Sequence, residues 1–147
     1  TPLDMTILQS PKFQIEFVED AYAIVLRKAI LNACINPITT ILFIENGKLI
    51  SNKHAFQLMH SLFMELQTAF PEISTMLTFE HVKALCEKTS PNKSSMLQDR
   101  LNNRQTEIEP IVGALLKLAT TRDKELPLLQ TLYQLVLAID EKGEPHE

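Results

Sequence analysis

Apolar residues recur along most of this chain at three- and four-residue intervals, the spacing that gives a helix one buried face. The first predicted helix runs from about Phe13 to Ile35, with Phe17, Ala21, Ile24, Val25, Leu31 and Ile35 on its apolar side. Pro37 biases Asn36 out of the α region, so the helix is predicted to break or kink there. The β-branched run ITTILFI (38–44) fits either a strand or a buried helix. Its helical surroundings favour helix. ENGKL (45–49) reads as a turn, with Asn46-Gly47 suited to positive φ.

The rest of the chain continues in helical units. Ser51 or Asn52 can cap a helix whose apolar face is Met59, Leu62, Phe63, Leu66 and Phe70, ended by Pro71. Thr78 can cap another, carrying Phe79, Val82, Leu85 and Cys86. KTSPNKS (88–94) reads as a loop. Ser95 with Gln98, and Thr106 with Glu109, each have the spacing of a capping box, the first opening a short helix toward Asn102. In the last helix Pro127 suits the first turn and Gly143 the end, with Leu128, Leu129, Leu132, Leu135, Val136 and Ile139 as the buried stripe. No repeat, low-complexity tract or linker interrupts this pattern, so residues 1–147 are predicted to be one all-α domain.

Composition narrows the function. The net charge is −4 and no block of Lys or Arg is present, so the electrostatic footprint of a nucleic-acid partner is missing. Cys34 and Cys86 sit in apolar helical patterns and do not define a disulfide framework, which places the chain by default in a reducing cytosol. No uninterrupted apolar run approaches the roughly 20 residues that span a bilayer, and the start has neither a basic stretch nor a signal segment. The first residue is Thr, not Met, as in a fragment or a processed chain. The three glycines, Gly47, Gly113 and Gly143, are far apart. A phosphate-cradling loop needs clustered glycines, so most of any nucleotide-binding surface is expected to lie outside this chain.

One segment stands apart chemically. In RKAILNACINPIT (27–39), Lys28, Asn32 and Asn36 lie four apart in an otherwise apolar stretch, and so form one slowly drifting file on a helix. Extended backward through Ile24, Asp20, Glu16 and Lys12, the file reads as the ordinary wet face of an amphipathic helix. The alternative is a wall of a site. A lysine in a largely apolar setting can act as general acid or stabilise a developing oxyanion, and asparagines can donate to a carboxylate without adding charge. Glu107 has its own plain reading, a carboxylate in the first turn of a helix. Ser95 reads likewise as a cap and Asn46 as a turn residue. The four histidines lack ligand spacing, and no Gly-x-Ser-x-Gly elbow or base-paired thiol is present.

Taken together, the separate blocks become recognisable. RKAILNACINPIT, then Asn46-Gly47, then KSSMLQDRLNNRQTEIEPIVGALL, then LPLLQTLYQLV resemble in order and spacing the C-terminal domain of the ketopantoate reductase (2-dehydropantoate 2-reductase) family. The likeness covers about residues 15–140, and Ser-Ser-Met-Leu-Gln-Asp followed by Thr-Glu-Ile-Glu is its most specific part. It implies NADPH-dependent reduction of 2-dehydropantoate to pantoate, toward pantothenate and coenzyme A. It also implies that an N-terminal Rossmann domain holds most of the NADP. Lys28 falls on the family's catalytic lysine, Asn32, Asn36 and Asn46 on substrate-contacting asparagines, and the segment Asn92, Lys93, Ser94, Ser95 on the loop that grips the substrate. Glu107 falls on a catalytic carboxylate that also reaches the cofactor.

Two departures qualify the resemblance. Leu26 stands where members often carry an aromatic residue, commonly Trp, which concerns packing rather than chemistry. The Rossmann half is absent from this chain, so the chain alone is expected not to turn over substrate. The implied partners are a small 2-oxo acid and the protein's own N-terminal domain, with no nucleic acid and no membrane; apolar surface left facing the missing half would open a route to a homodimer. The competing readings are a paralogue acting on another branched 2-oxo acid and a helical dimerisation or adaptor module without catalysis. The retained set Lys28, Asn32, Asn36, Ser95 and Glu107 argues against the adaptor. On the enzyme reading, Lys28 is expected to line a cleft facing the missing half.

Overall fold

The computed structural model describes residues 11–143, with side chains from Glu19 to Lys142. Every regular element among them is helical: α1 (Pro11–Leu42), α2 (Lys48–Ser51), α3 (Lys53–Ala69), a 3-10 turn (Pro71–Thr75), α4 (Phe79–Lys88), α5 (Ser95–Leu101), a π-helical turn (Glu109–Gly113), α6 (Ala114–Thr121) and α7 (Pro127–Gly143). The all-α expectation holds.

The long helix α1 is the axis of the domain. It does not stop at Asn36 but runs through Pro37 to Leu42, against the expected break. An interior proline removes one backbone donor and crowds the preceding turn, at a cost of about 3 kcal/mol. Burial offsets that cost here, because every residue from Ala33 to Thr40 is buried. The Thr40 hydroxyl donates to the Asn36 carbonyl at 2.7 Å and that of Thr39 reaches the Ile35 and Asn36 carbonyls at 3.1 Å, so both polar side chains are satisfied inside the helix. Residues Glu19–Leu42 are in fact long and apolar enough to cross a membrane by length and composition, a point hidden by their scattered charges. More than half of that apolar stretch is buried within the protein, as in a core helix.

The phase of α1 also differs from the expected one. Its buried face carries Leu26, Ile30, Ala33 and Cys34, while Ile24 and Val25 are each 67% exposed; Phe17 lies outside the described side chains. On α7 the buried positions are Leu129, Leu132 and Val136, and Leu135 faces out. The face predicted for α3 is buried throughout, through Met59, Leu62, Phe63 and Leu66 to Phe70 beyond its end. These side chains and those of the other helices form one contiguous core.

Helix ends explain much of the chain's course. Asn52 accepts from the backbone N–H groups of His54 and Ala55 to open α3. Thr78 accepts from His81 N, and His81 Nδ1 accepts from Thr78 N, a reciprocal cap with histidine as the distal partner. The two predicted boxes differ from expectation. Ser94, not Ser95, caps α5 by accepting from Leu97 N at 3.1 Å, and Thr106 turns to Asp140 instead. The N-terminus of α7 is held by Glu65 of α3, whose two carboxylate oxygens accept from Leu128 N and Leu129 N at 2.9 Å.

Three helices end in left-handed residues without using glycine: Phe43 (φ 62°) after α1, Asn103 (φ 53°) after α5 and Asp123 (φ 54°) after α6. In each, the next N–H reaches back five residues, Ile44 to Thr39, Arg104 to Asp99 and Lys124 to Ala119, the hydrogen bond that closes a helix C-terminus. Phe43 is the costly member, since αL backbone disfavours a bulky side chain. The Arg100 guanidinium lies 4.5 Å over its ring while donating to the Thr40 carbonyl.

The predicted turn at Asn46-Gly47 forms, but Gly47 has φ −64°, so its role is space. Gly47 N donates to Ser90 O at 3.0 Å, and a Cβ on Gly47 would lie 1.9 Å from Ser90 Oγ and 3.0 Å from its Cα. Gly47→Ala is therefore expected to destabilise the domain by about 1–3 kcal/mol, read by chemical denaturation. Because Ser90 Cα is part of the clash, Ser90→Ala should recover only part of the loss; an undiminished midpoint in Gly47→Ala would refute the packing.

A second test concerns Arg122, which grips Glu72 with two nitrogens at 2.9 Å each. The Arg122 guanidinium holds the Glu72 carboxyl below its ordinary 4.5. A depressed acid stabilises the fold above its unfolded pKa and loses that contribution as pH falls through the folded one. Glu72→Gln should thus cost about 0.2–1 kcal/mol at neutral pH, as expected for a partly exposed pair. In thermal melts the gap to the parent should close below pH 4.5; a gap unchanged in acid would assign the effect to something other than charge.

Candidate functional site

The polar file on α1 descends from solvent into the protein. Lys28 is exposed, Asn32 half-buried and Asn36 buried. Neither Lys28 nor Asn32 has a side-chain hydrogen bond or ion pair among the described residues. The amphipathic reading of the file accounts for Lys28 but not for Asn36, which is 7% exposed at the level where α1 is covered all round.

One turn past Asn36, the loop before α5 meets α1. Thr39 Oγ1 and Ser94 Oγ lie 2.7 Å apart, both buried. This contact fixes the start of α5, so Ser94 is a structural junction while its neighbour Ser95 is exposed at the first helical position. Lys93 and Asn92 are exposed. The Lys93 carbonyl accepts from Gln98 Nε2 at 3.0 Å, and the Asn92 carbonyl accepts from Asn46 N at 2.9 Å. Asn46 Nδ2 donates to Thr89 Oγ1 at 3.0 Å, and Asn46 Oδ1 is buried without a partner. The structure thus gathers Asn36, Ser94, Lys93, Asn92 and Asn46 along one continuous run of contacts, although they come from three parts of the sequence.

Glu107 arrives separately. It is exposed, between buried Thr106 and buried Ile108, just ahead of the π-helical turn, and no hydrogen bond or ion pair joins it to Lys28 among the described residues. Sequence reasoning missed what holds the residues around it: Asp140, which accepts from Thr106 N at 3.1 Å and from Thr106 Oγ1 at 2.7 Å, and Tyr133, which donates to Glu109 at 2.5 Å. No local signal marks them, because both partners lie more than 20 residues away in the chain.

Other chemistry is weak. Burial pushes the thiols of Cys34 and Cys86 up, Cys86 to about 11, which leaves them inert near neutral pH. Among the described residues no group of three or more His, Cys, Asp or Glu side chains is gathered for a metal ion. Two concavities lie away from the file: one of about 410 Å³ bordered by Phe43, Arg100, Arg104 and Lys142, and one of about 290 Å³ between α6 and the start of α7. Neither includes Lys28, Asn32 or Glu107.

Comparison with known proteins gives this arrangement a context. The family model described as "Ketopantoate reductase PanE/ApbA C terminal" matches residues 20–140. The 2-dehydropantoate 2-reductase of Listeria innocua is 36% identical over 140 residues, covering 95% of this chain and 45% of the relative. The crystal structure of a Bacillus subtilis panE protein superposes with a TM-score of 0.69 at 35% identity, over 76% of this chain and 38% of that one. A D-mandelate dehydrogenase solved with NADH and anilino(oxo)acetate superposes with a TM-score of 0.71 at 26% identity, over 83% and 41%. The chain spans less than half the length of the curated relatives it matches. This chain belongs to the ketopantoate reductase family, to the part of it that forms the C-terminal, all-α half.

Proposed function

We propose that this chain is the single substrate-binding and catalytic helical domain of a cytoplasmic NADPH-dependent 2-dehydropantoate 2-reductase. Its partner on this reading is an N-terminal Rossmann domain of the same protein. The observation that carries the reading is the descent of Lys28, Asn32 and Asn36 along α1 to the buried Thr39–Ser94 contact. Residue blocks far apart in sequence meet there. A solvated helix face would have no reason to end in a buried asparagine one turn before a buried contact with Ser94, and an adaptor module has no need of it.

The chemistry follows from the residue types. NADPH, held chiefly by the N-terminal domain, would supply the hydride to the keto carbon. Lys28 holds the keto oxygen through its ammonium group and delivers a proton to it as charge develops, and its exposure lets solvent restore that proton. Asn32 and Asn36 orient the 2-oxo acid by neutral donors, which fix a carboxylate without competing with Lys28 for charge. Ser95, Asn92 and Lys93 bound the substrate on the side of α5, and Asn46 braces that loop from behind. Glu107, an exposed carboxylate, suits a cofactor hydroxyl. The described residues hold no glycine-rich cradle for phosphates, which fits a cofactor held chiefly by the other domain. Exposed Ile24 and Val25, one turn before and beside Lys28, suit the apolar edge of that domain or of a second copy.

In the full-length protein, Lys28→Ala is expected to lower kcat for NADPH-dependent reduction of 2-dehydropantoate by about 10²–10⁴-fold. Stopped or steady-state oxidation of NADPH reads the change, and a near-parent rate would remove Lys28 from the mechanism. A second reading rests on the likeness to D-mandelate dehydrogenase: a paralogue that reduces another 2-oxo acid. The same assay separates them, since a higher kcat/KM on an aryl 2-oxo acid than on 2-dehydropantoate would favour the paralogue.

A further inference from the structure

The stretch Thr106-Glu107-Ile108-Glu109 is held at every position except Glu107. Thr106 is fixed by both oxygens of Asp140, one on its N–H and one on its hydroxyl. Ile108 is sunk in the core. Glu109 accepts from the Tyr133 hydroxyl at 2.5 Å. Tyr133 and Asp140 lie two turns apart on one face of α7, roughly 10 Å along its axis, so a single helix supplies both anchors on either side of Glu107.

The backbone between the anchors is irregular in a specific way. Glu109–Gly113 is a π-helical turn, with Ala114 N reaching the Glu109 carbonyl five residues back. Such an extra residue re-aims what precedes it and recurs at functional sites. Gly113 makes the turn compatible with the Tyr133 contact, because a Cβ there would lie 2.2 Å from Glu109 Oε1. The Glu109 carboxylate therefore lies across the bare Gly113 backbone to reach Tyr133. The same carboxylate raises the Tyr133 phenol above its ordinary value.

We infer that Tyr133 and Asp140 of α7 are positioning residues that, through Glu109 and Thr106, present the Glu107 carboxylate to the cofactor. The inference rests on the role proposed above for Glu107. It adds two residues from the last helix to the working parts of the enzyme, each acting through a neighbour of Glu107.

The test is a pair of double-mutant cycles in the full-length protein, with Glu107→Gln, Tyr133→Phe, Asp140→Asn and the two doubles that contain Glu107→Gln, assayed with NADPH and 2-dehydropantoate. Tyr133→Phe and Asp140→Asn should each lower kcat/KM for NADPH by about tenfold to a hundredfold, the size expected when a reacting group is held slightly out of place. In the Glu107→Gln background each should cost little more, because the group they aim is already gone. Asp140→Glu should recover part of the loss. Melting temperatures measured in parallel separate this from folding: a purely structural role would lower stability equally in both backgrounds and leave kcat/KM unchanged. Losses that simply multiply in the doubles would overturn the positioning role while leaving Glu107 in the site. An unaltered kcat/KM in Glu107→Gln alone would remove Glu107 and the positioning role with it.

Discussion

Eight consecutive residues of α1, Ala33 to Thr40, are all buried, and the domain is arranged around that fact. A helix with one wet face needs one neighbour, whereas a helix with none needs a closed shell. Here the shell is made by α3, α5, α7 and the π-helical turn, all packed on α1. The polar groups trapped inside are paid for locally: Thr39 and Thr40 bond within the helix, and Ser94 comes in from outside to meet Thr39. Lys28, Asn32 and Asn36 lie on the same helix, so the candidate site is carried by the element on which the rest of the fold packs. Among the described residues its outer end, at Lys28, is exposed and its inner end, at Asn36, is buried.

Much of this was legible in the sequence. The helical period identified the class, and Asn52, Thr78 and Pro127 marked real helix starts, because capping is a contest between a side chain and a few backbone donors within one turn. The failures share a cause. Pro37 argued locally for a break, and the burial of its whole neighbourhood overrode it. Ile24, Val25 and Leu135 were placed on buried faces because an apolar residue looks the same whether it meets this chain's core or stays exposed. Thr106 had the spacing of a cap, yet its hydroxyl went to Asp140 on a distant helix. Phe43, Asn103 and Asp123 end helices in a conformation usually marked by glycine, so no residue type signalled those three ends.

The candidate site was legible in a different way. Spacing alone made Lys28, Asn32 and Asn36 a file; only the order of the distant blocks made them a candidate site. The structure then distinguished residues that the pattern had grouped together. Ser94 is a buried junction, whereas Ser95 is exposed at the start of α5. Asn46 stands behind the loop that bears Asn92, with its amide nitrogen on Thr89. Tyr133 and Asp140 were invisible because their partners are remote and their own helix reads as an ordinary amphipathic stripe.

The cluster of Tyr22, Glu72 and Arg122 has a consequence for time rather than for energy. Arg122 Nη2 meets Tyr22 across 100 positions of sequence and Glu72 across 50, while its guanidinium lies 4.9 Å over Phe70. Most other contacts in a helical domain are local and form early, whereas spans of this length close only after the intervening helices have docked. Interactions that are absent from the folding transition state act on the unfolding rate and leave the folding rate nearly untouched. The three side chains thus work as a latch: they do little to hasten assembly of the domain, and they lengthen the interval before the ends of α1 and α6 come apart.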